Sequence, residues 1–372
     1  MTLFMVAGEK SGDLHGHHLA EALLEIDPML SIQGVAGPLM RSLGIRGSIQ
    51  MEDLQVMGFT DVALALPKLF RLFYQVRDEI LQRKPSAVVF IDYPGFNLRL
   101  ARSLRKKGYQ GKLIHFICPT VWAWGKRRIP LMAQTLDLLL TIFPFERASF
   151  VGTRLETLYV GHPLVKKIAS RPPLPRKKLL ALFPGSRDAV IQRNFPLQLQ
   201  VARKLQALMP DIEIAISLSS PKHRALLQCE FPLIEPEHTY DLMQSAHLAI
   251  ATSGTVTLEL ALFQTPTVVH YAIKPLDLFL AQKIFRINLS HYCIVNLLVK
   301  ERIFPELFGP HFTFAALFQE VEELWSSSPS RKKCQEGCEM IRRLLGEEDA
   351  SKTAAEVIYQ TSLGRVSAPA TI

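Results

Sequence analysis

Short apolar runs alternate with helical spacing along the first half of the chain, and each run stops at glycine or proline. LFMVAG is followed by helical spacing over about 15 to 25, and then by SIQGVAG. An amphipathic stretch spans 63 to 83, AVVFIDYPG leads into a helix over about 96 to 107, and KLIHFICP, LDLLLTIFP and TLYVGHP follow. Short uninterrupted apolar runs of this kind are strands buried on both faces. The pattern therefore predicts a parallel sheet covered by helices on each side.

The rhythm breaks at ASRPPLPRKK, residues 169–178, where three prolines and a basic cluster predict an interdomain linker. It restarts with LLALFPGSR, a helix over about 195 to 208, EIAISLS, a short helix after Pro221, an apolar segment near FPLIEP, LAIATSGT opening a helix over about 255 to 263, and PTVVHYAI. SSSPS at 326–330 precedes a closing helix over about 331 to 361. The expected organisation is a first domain over 1–168, the linker, a second domain over 179–330, and a closing helix and tail over 331–372. The fold class is α/β, with two Rossmann-like, doubly wound parallel sheets in succession. Ligands of such sheets bind beyond the carboxyl ends of the strands, so both domains are expected to present those ends to one cleft.

Length and composition agree with two soluble domains, since 372 residues exceed most single cores. No apolar run reaches the ~18 residues of a membrane-spanning helix. Residues 1–7 run directly into Gly-Glu-Lys with no basic segment before them, which is not the pattern of a signal peptide. The five cysteines (Cys118, Cys229, Cys293, Cys334 and Cys338) are scattered and odd in number. They read as reduced cytosolic thiols, not as a disulfide framework or a zinc site. His15, His17 and His18 lack a carboxylate at ligand spacing, so no metal and no cofactor is expected.

The net charge of +9 changes the picture more. Nucleic acid, an anionic membrane surface and phosphorylated substrates would each balance it. No nucleic-acid module or finger spacing is present, which leaves the other two.

The candidate chemistry lies in the loops. In ALFPGSRDA a strand ends at Gly185, Ser186 and Arg187: glycine allows close backbone approach, serine offers a hydroxyl, and arginine a cationic fork suited to phosphate. The bland alternative is a strand-end turn with a solvated arginine. In AIATSGTVTLELALFQTP the turn Ser253-Gly254-Thr255 opens a helix, whose free N–H groups favour an anion such as pyrophosphate. Glu259, one helical turn on, is suited to accept both hydroxyls of a ribose. Read only structurally, the turn caps its helix and Glu259 is solvated. Neither a P-loop nor a strand-end GxGxxG is present, which argues against an ATPase or a dinucleotide enzyme.

The first domain's loops are acidic and aromatic. Asp92 ends the strand in FIDYPGFNLRLA and is either a helix cap or a general base. In VAGEKSGD, Ser11 and Asp13 suit helix capping, which leaves Glu9 unexplained. Trp122 and Trp124 stand beside a basic cluster in CPTVWAWGKRR and either stack on a sugar or pack the core. In the 64–84 segment, Leu69, Phe70, Leu72 and Phe73, with Arg71 among them, form an apolar band wider than one helix face needs, as a membrane interface would.

Taken in order from residue 5 to about 307, these stretches resemble those of the lipid-A-disaccharide synthases, inverting glycosyltransferases of the GT-B type. The shared pieces are VAGEKSGD, GVAGPLM, VMGFTDV, IDYPGFNLRLA, CPTVWAWGKRR, FPFE, YVGHPL, FPGSR, ATSGTVTLELAL, VVHYAIKP and NLLVKERIFPEL. The resemblance implies a metal-independent transfer at the cytoplasmic face of the inner membrane. UDP-2,3-diacylglucosamine is the donor and 2,3-diacylglucosamine 1-phosphate the acceptor, and the product is a β-1,6-linked disaccharide. It implies UDP binding by Gly185, Ser186, Arg187, Ser253, Gly254, Thr255 and Glu259, with Asn296 and Glu306 in a further polar patch. Asp92 is then the proposed base and Glu9 a carboxylate needed for activity, with Gly8, Ser11, Gly12, Asp13, Trp122 and Trp124 on the acceptor side. The closing helix is expected to return to the first domain or to join a swapped homodimer. Lys10, Gly95 and Val190 depart from the family's usual alanine, aspartate and glutamate. A UDP-sugar 2-epimerase of the same fold is the nearest rival, and a non-enzymatic membrane module a more distant one.

Overall fold

The computed structural model of the chain describes residues 1–54, 59–123, 125–273 and 290–362, with residues 59–66 described as backbone only. It comprises two compact units, one over Met1–Pro163 together with the segment from Glu347, the other over Leu164–Gly346.

The first unit contains strands β1 (Thr2–Ala7), β2 (Ser31–Val35), β3 (Ala87–Ile91), β4 (Lys112–Phe116), β5 (Leu138–Thr141) and β6 (Glu156–Tyr159). They form one sheet in the order β2-β1-β3-β4-β5-β6, every pairing parallel. Its helices are α1 (Lys10–Ile26), α2 (Pro38–Ser42), α3 (Met51–Leu54), α4 (Phe59–Arg83), α5 (Pro94–Lys106) and α6 (Ile129–Thr135). Successive side chains of a strand point to opposite faces, and β1 shows why its whole run is apolar. Leu3, Met5 and Ala7 join one core with Leu19 and Leu23 of α1. Phe4 and Val6 join the other, with Val76 and Ile80 of α4 and Leu100 and Leu104 of α5.

The second unit begins in α7 (Pro163–Ala169) and carries α8 (Asp188–Leu208), α9 (Thr239–Ser245), α10 (Thr255–Leu262), α11 (Ile294–Val299), α12 (Phe314–Ser326) and α13 (Ser328–Leu345). Its strands are β7 (Leu179–Phe183), β8 (Glu213–Ser217), β9 (Leu233–Ile234), β10 (Leu248–Thr252), β11 (Thr267–Tyr271) and β12 (Glu306–Phe308), in the parallel order β12-β11-β10-β7-β8-β9. Arg176 ties the proline-rich 170–178 segment to this unit, donating to the carbonyls of Ala246, Phe263 and Gln264.

Three expectations need correction. Helix α1 starts at Lys10, not near residue 15. Helix α8 starts at Asp188, not near residue 195, and so carries Pro196 in its interior. Proline forfeits one helical hydrogen bond, but the buried stripe of Val190, Ile191, Asn194, Phe195, Gln198, Val201 and Leu205 is continuous across it. The single closing helix is two: Gly346, at φ 64°, ends α13 in a conformation few other residues adopt. Helix α14 (Ala350–Ser362) then packs on α1 in the first unit through Ala354, Ala355 and Ile358.

Candidate active site

In the first sheet the strand order reverses between β1 and β3, and the register pairs Ala7 with Ile91. That pairing sets the Gly8-Glu9 turn beside Asp92. Glu9 occupies the cap position of α1 but makes no side-chain cap bond. Its carboxyl shares a hydrogen bond with that of Asp92 and accepts another from the Ser11 hydroxyl at 3.2 Å. Burial, and then the neighbouring Glu9 charge, push the Asp92 carboxyl up to about 6.

The backbone here is strained. Asp92 (φ 45°), Tyr93 (φ 46°) and Ile117 (φ 74°) all adopt the left-handed region at the ends of β3 and β4, at a cost of ~1–3 kcal/mol each. Hydrogen bonds hold them there. The fully buried Asn97 amide donates to the Asp92 carbonyl at 2.7 Å, and the Asp92 N–H donates to the Phe116 carbonyl at 3.0 Å. Gly8 is required by the same packing, since a Cβ there would lie 2.2 Å from the Tyr93 ring.

Asp13 does not belong to this group. It is buried inside α1, and its carboxylate accepts the N–H groups of Gly37 at 2.9 Å, Leu39 at 2.9 Å and Met40 at 3.1 Å. It caps α2, not its own helix, and the missing Cβ of Gly37 makes room for it. Gly12 faces the sheet at the end of β3, where an added Cβ would lie 3.5 Å from the Ile91 carbonyl oxygen. Trp122 is half-buried, its ring edge-on to Phe145 at 5.2 Å, and Trp124 lies outside the described residues.

On α4, Phe70 is 58% exposed and Arg71 is exposed beside it, with Leu69 half-buried. Leu72 and Phe73 correct the expected membrane band. Leu72 is a core residue, and Phe73 packs edge-to-face on Phe96 at 5.5 Å. Tyr74 is exposed instead, so the outward apolar face is Phe70 and Tyr74.

The second sheet reverses order between β7 and β10, with Phe183 in register with Ala251. Beyond those two strand ends opens a cavity of about 810 Å³, lined by Gly185, Ser186, Arg187, Ser253, Gly254, Thr255 and Glu259. The first loop is held from behind. Thr252 donates to the Pro184 carbonyl at 2.8 Å and Ser219 to that of Gly185 at 2.9 Å. Gly185 sits at φ 121°, which side-chain-bearing residues rarely adopt, and Arg187 is exposed at the start of α8. The second loop opens α10, whose N-terminal N–H groups make that end of the cavity electropositive.

Glu259 accepts the Tyr240 hydroxyl at 2.7 Å; burial pushes its carboxyl up, opposed by that bond and by Lys167. Lys167 and Arg171 lie over the Tyr240 ring at 5.0 and 4.9 Å. These three side chains went unread in the sequence. Lys167 and Arg171 stand before β7 and Tyr240 before β10, so no strand-end turn marks them.

Asn296 and Glu306 stand apart from this cavity. Asn296 is fully buried, donating to the Phe304 carbonyl and accepting from Ile303 and Phe304 N–H groups. Glu306 accepts from the N–H groups of Tyr292 and Cys293, just before α11, and pairs with His291 at 2.9 Å. Backbone groups engage the Asn296 amide, backbone N–H groups and His291 engage the Glu306 carboxylate, and neither residue lines the cavity.

A model of one family, described as lipid-A-disaccharide synthetase, matches residues 3–360. The chain belongs to the lipid-A-disaccharide synthetase family. Among curated relatives, the lipid-A-disaccharide synthase of Chlamydia pneumoniae is 37% identical over 92% of this chain and 59% of its own length. The chain thus spans about three-fifths of that relative. The lipid-A-disaccharide synthase of Geobacter sulfurreducens is 31% identical over 96% of both chains. Solved structures share the fold at low identity. UDP-GlcNAc 2-epimerase from Neisseria meningitidis has TM-score 0.64 at 11% identity, covering 97% of this chain and 100% of that one. The glycotransferase of kitacinnamycin has TM-score 0.63 at 14%, covering 96% and 98%. The synthetase family member described here therefore has the GT-B fold, two Rossmann-like units with parallel six-stranded sheets.

Proposed function

We propose that the chain is a glycosyltransferase joining UDP-2,3-diacylglucosamine to 2,3-diacylglucosamine 1-phosphate, with release of UDP. The observation that carries this reading is the Asp92–Glu9 pair, a half-buried carboxyl raised to about 6 that is poised to take a proton near neutral pH. Asp92 removes the proton from the acceptor's 6-hydroxyl as that oxygen attacks the anomeric carbon. UDP leaves from the opposite face, and the configuration inverts. Family membership and the second unit's cavity support the donor's half: Arg187 and the start of α10 meet the diphosphate, and Glu259 the ribose. The positive charge and the Phe70–Tyr74 face suit an enzyme working on acylated substrates at the cytoplasmic surface of the inner membrane. No helix among the described residues is long and apolar enough to cross one.

Incubation of the purified chain with both substrates in EDTA tests the reading. Disaccharide 1-phosphate and UDP are expected in equal amounts. Epimerised UDP-sugar without a disaccharide would overturn it.

A further inference from the structure

Glu146 is a buried carboxyl for which the proposed chemistry has no use. It lies 2% exposed in the 3-10 turn Pro144–Phe150 that follows β5. The Phe143 N–H donates to it at 3.2 Å, and the Ile142 N–H and the Trp122 indole, which carries one N–H, come close enough to interact with it. Burial pushes this carboxyl up to about 8. Returning a bond to the Phe143 N–H is what a residue three places into a helical turn does for its cap. That role does not account for reaching a tryptophan on another loop. Burying a carboxyl is costly, and an apolar residue would fill the space at less expense.

What Glu146 holds is the end of a row of rings. Trp122 meets Phe145 edge-on at 5.2 Å, Phe145 stacks on Phe143 at 5.7 Å, and Phe143 contacts His162 at 4.9 Å. The first three rings are half-buried, so each keeps an accessible surface. They stand beyond the ends of β4 and β5, on the sheet edge that carries Asp92, whose N–H is bonded to the last residue of β4. The exposed cations Lys126 and Arg127 stand four and five residues after Trp122 in the sequence. An aromatic shelf beside a basic turn suits an amphipathic sugar that bears both acyl chains and a phosphate.

We propose that Glu146 is a positioning residue for the acceptor: it clamps the Trp122 indole so that Trp122, Phe145 and Phe143 form one surface on which the acylated glucosamine phosphate lies. The inference rests on the transferase reading for the identity of the ligand, but binding tests it separately from turnover.

Titration of the full chain with diacylglucosamine 1-phosphate alone, and with UDP alone, is the experiment. Trp122→Phe keeps a ring and removes the N–H; it is expected to weaken acceptor binding about tenfold and to leave UDP within about twofold. Glu146→Ala should do the same, Glu146→Gln, which keeps a carbonyl acceptor, should bind nearly as the parent does, and the double variant Glu146→Ala/Trp122→Phe should be no worse than either single one. Unchanged acceptor affinity in Trp122→Phe overturns the proposal even where Glu146→Ala does not fold. Additive losses in the double variant, or equal losses for UDP, overturn it as well. Absence of disaccharide formation with normal acceptor binding would remove the transferase reading and leave the shelf standing.

Discussion

The Asp92 carboxyl is hydrogen-bonded to that of Glu9 at the ends of β3 and β1, the two strands between which the first sheet reverses its order. Two acids in contact hold a proton more tightly than either alone. A base of this kind works only when ionised, so turnover should rise with pH through about 6. Asp92→Asn should lower kcat by about a hundred- to ten-thousandfold, measured as disaccharide formed per unit time. Stability should move the other way. The folded state raises this acid above its ordinary 3.8, so its ionisation penalty is absent below about 3.8 and complete above about 6. At pH 8 the asparagine variant should therefore melt no lower than the parent, as read by calorimetry.

Glu9→Gln separates the partner's charge from its shape. Losing the negative charge lowers the Asp92 carboxyl, and the acidic limb of the rate profile should move down by about one pH unit. A limb that stays in place would mean that burial alone sets the value.

Glu259 and Tyr240 line the second unit's cavity and are joined by a 2.7 Å bond. Glu259→Ala should raise the donor's KM about tenfold or more and leave the acceptor's within about twofold, because only the donor carries a ribose. Tyr240→Phe should give a smaller change in the same direction.

Asn296 supplies the contrasting case. Its amide satisfies three backbone groups in a site with no solvent. Asn296→Ala should cost about 2 kcal/mol or more of unfolding free energy, by denaturant titration, with UDP affinity of the folded fraction unchanged. A selective loss of UDP binding would instead assign this residue to the nucleotide.

Phe70 and Tyr74 are exposed on α4, so replacing both by serine should leave the melting temperature nearly unchanged. Co-sedimentation with vesicles containing phosphatidylglycerol should fall about tenfold, since two apolar side chains no longer enter the interface. Leu72→Ser should instead unfold the first unit, because that side chain lies in its core.

Much of this was legible in the chain itself. Strand ends such as Ile91 before Asp92, and Phe183 before the 184–187 turn, are punctuated by glycine and proline, and burial on both faces makes the central parallel strands continuous apolar runs. Local chemistry also assigned Gly185 and the Ser253-Gly254-Thr255 turn to the ends of strands, where they lie. Pairing was not legible. Neighbour order within a sheet depends on contacts between distant segments, and only the folded sheets bring Glu9 to Asp92 and the 184–187 turn to the 252–255 turn, each at a reversal of strand order. The same long-range contacts decide what a polar side chain is spent on. Asp13, Asn296 and Glu306 are as polar as Glu9 and Glu259, but folding brings to them the N–H groups of residues 37–40, 303–304 and 292–293, contacts that no spacing in the sequence announces. Residue type and spacing determine the elements and the chemistry on offer; which groups remain free to use it is decided by packing.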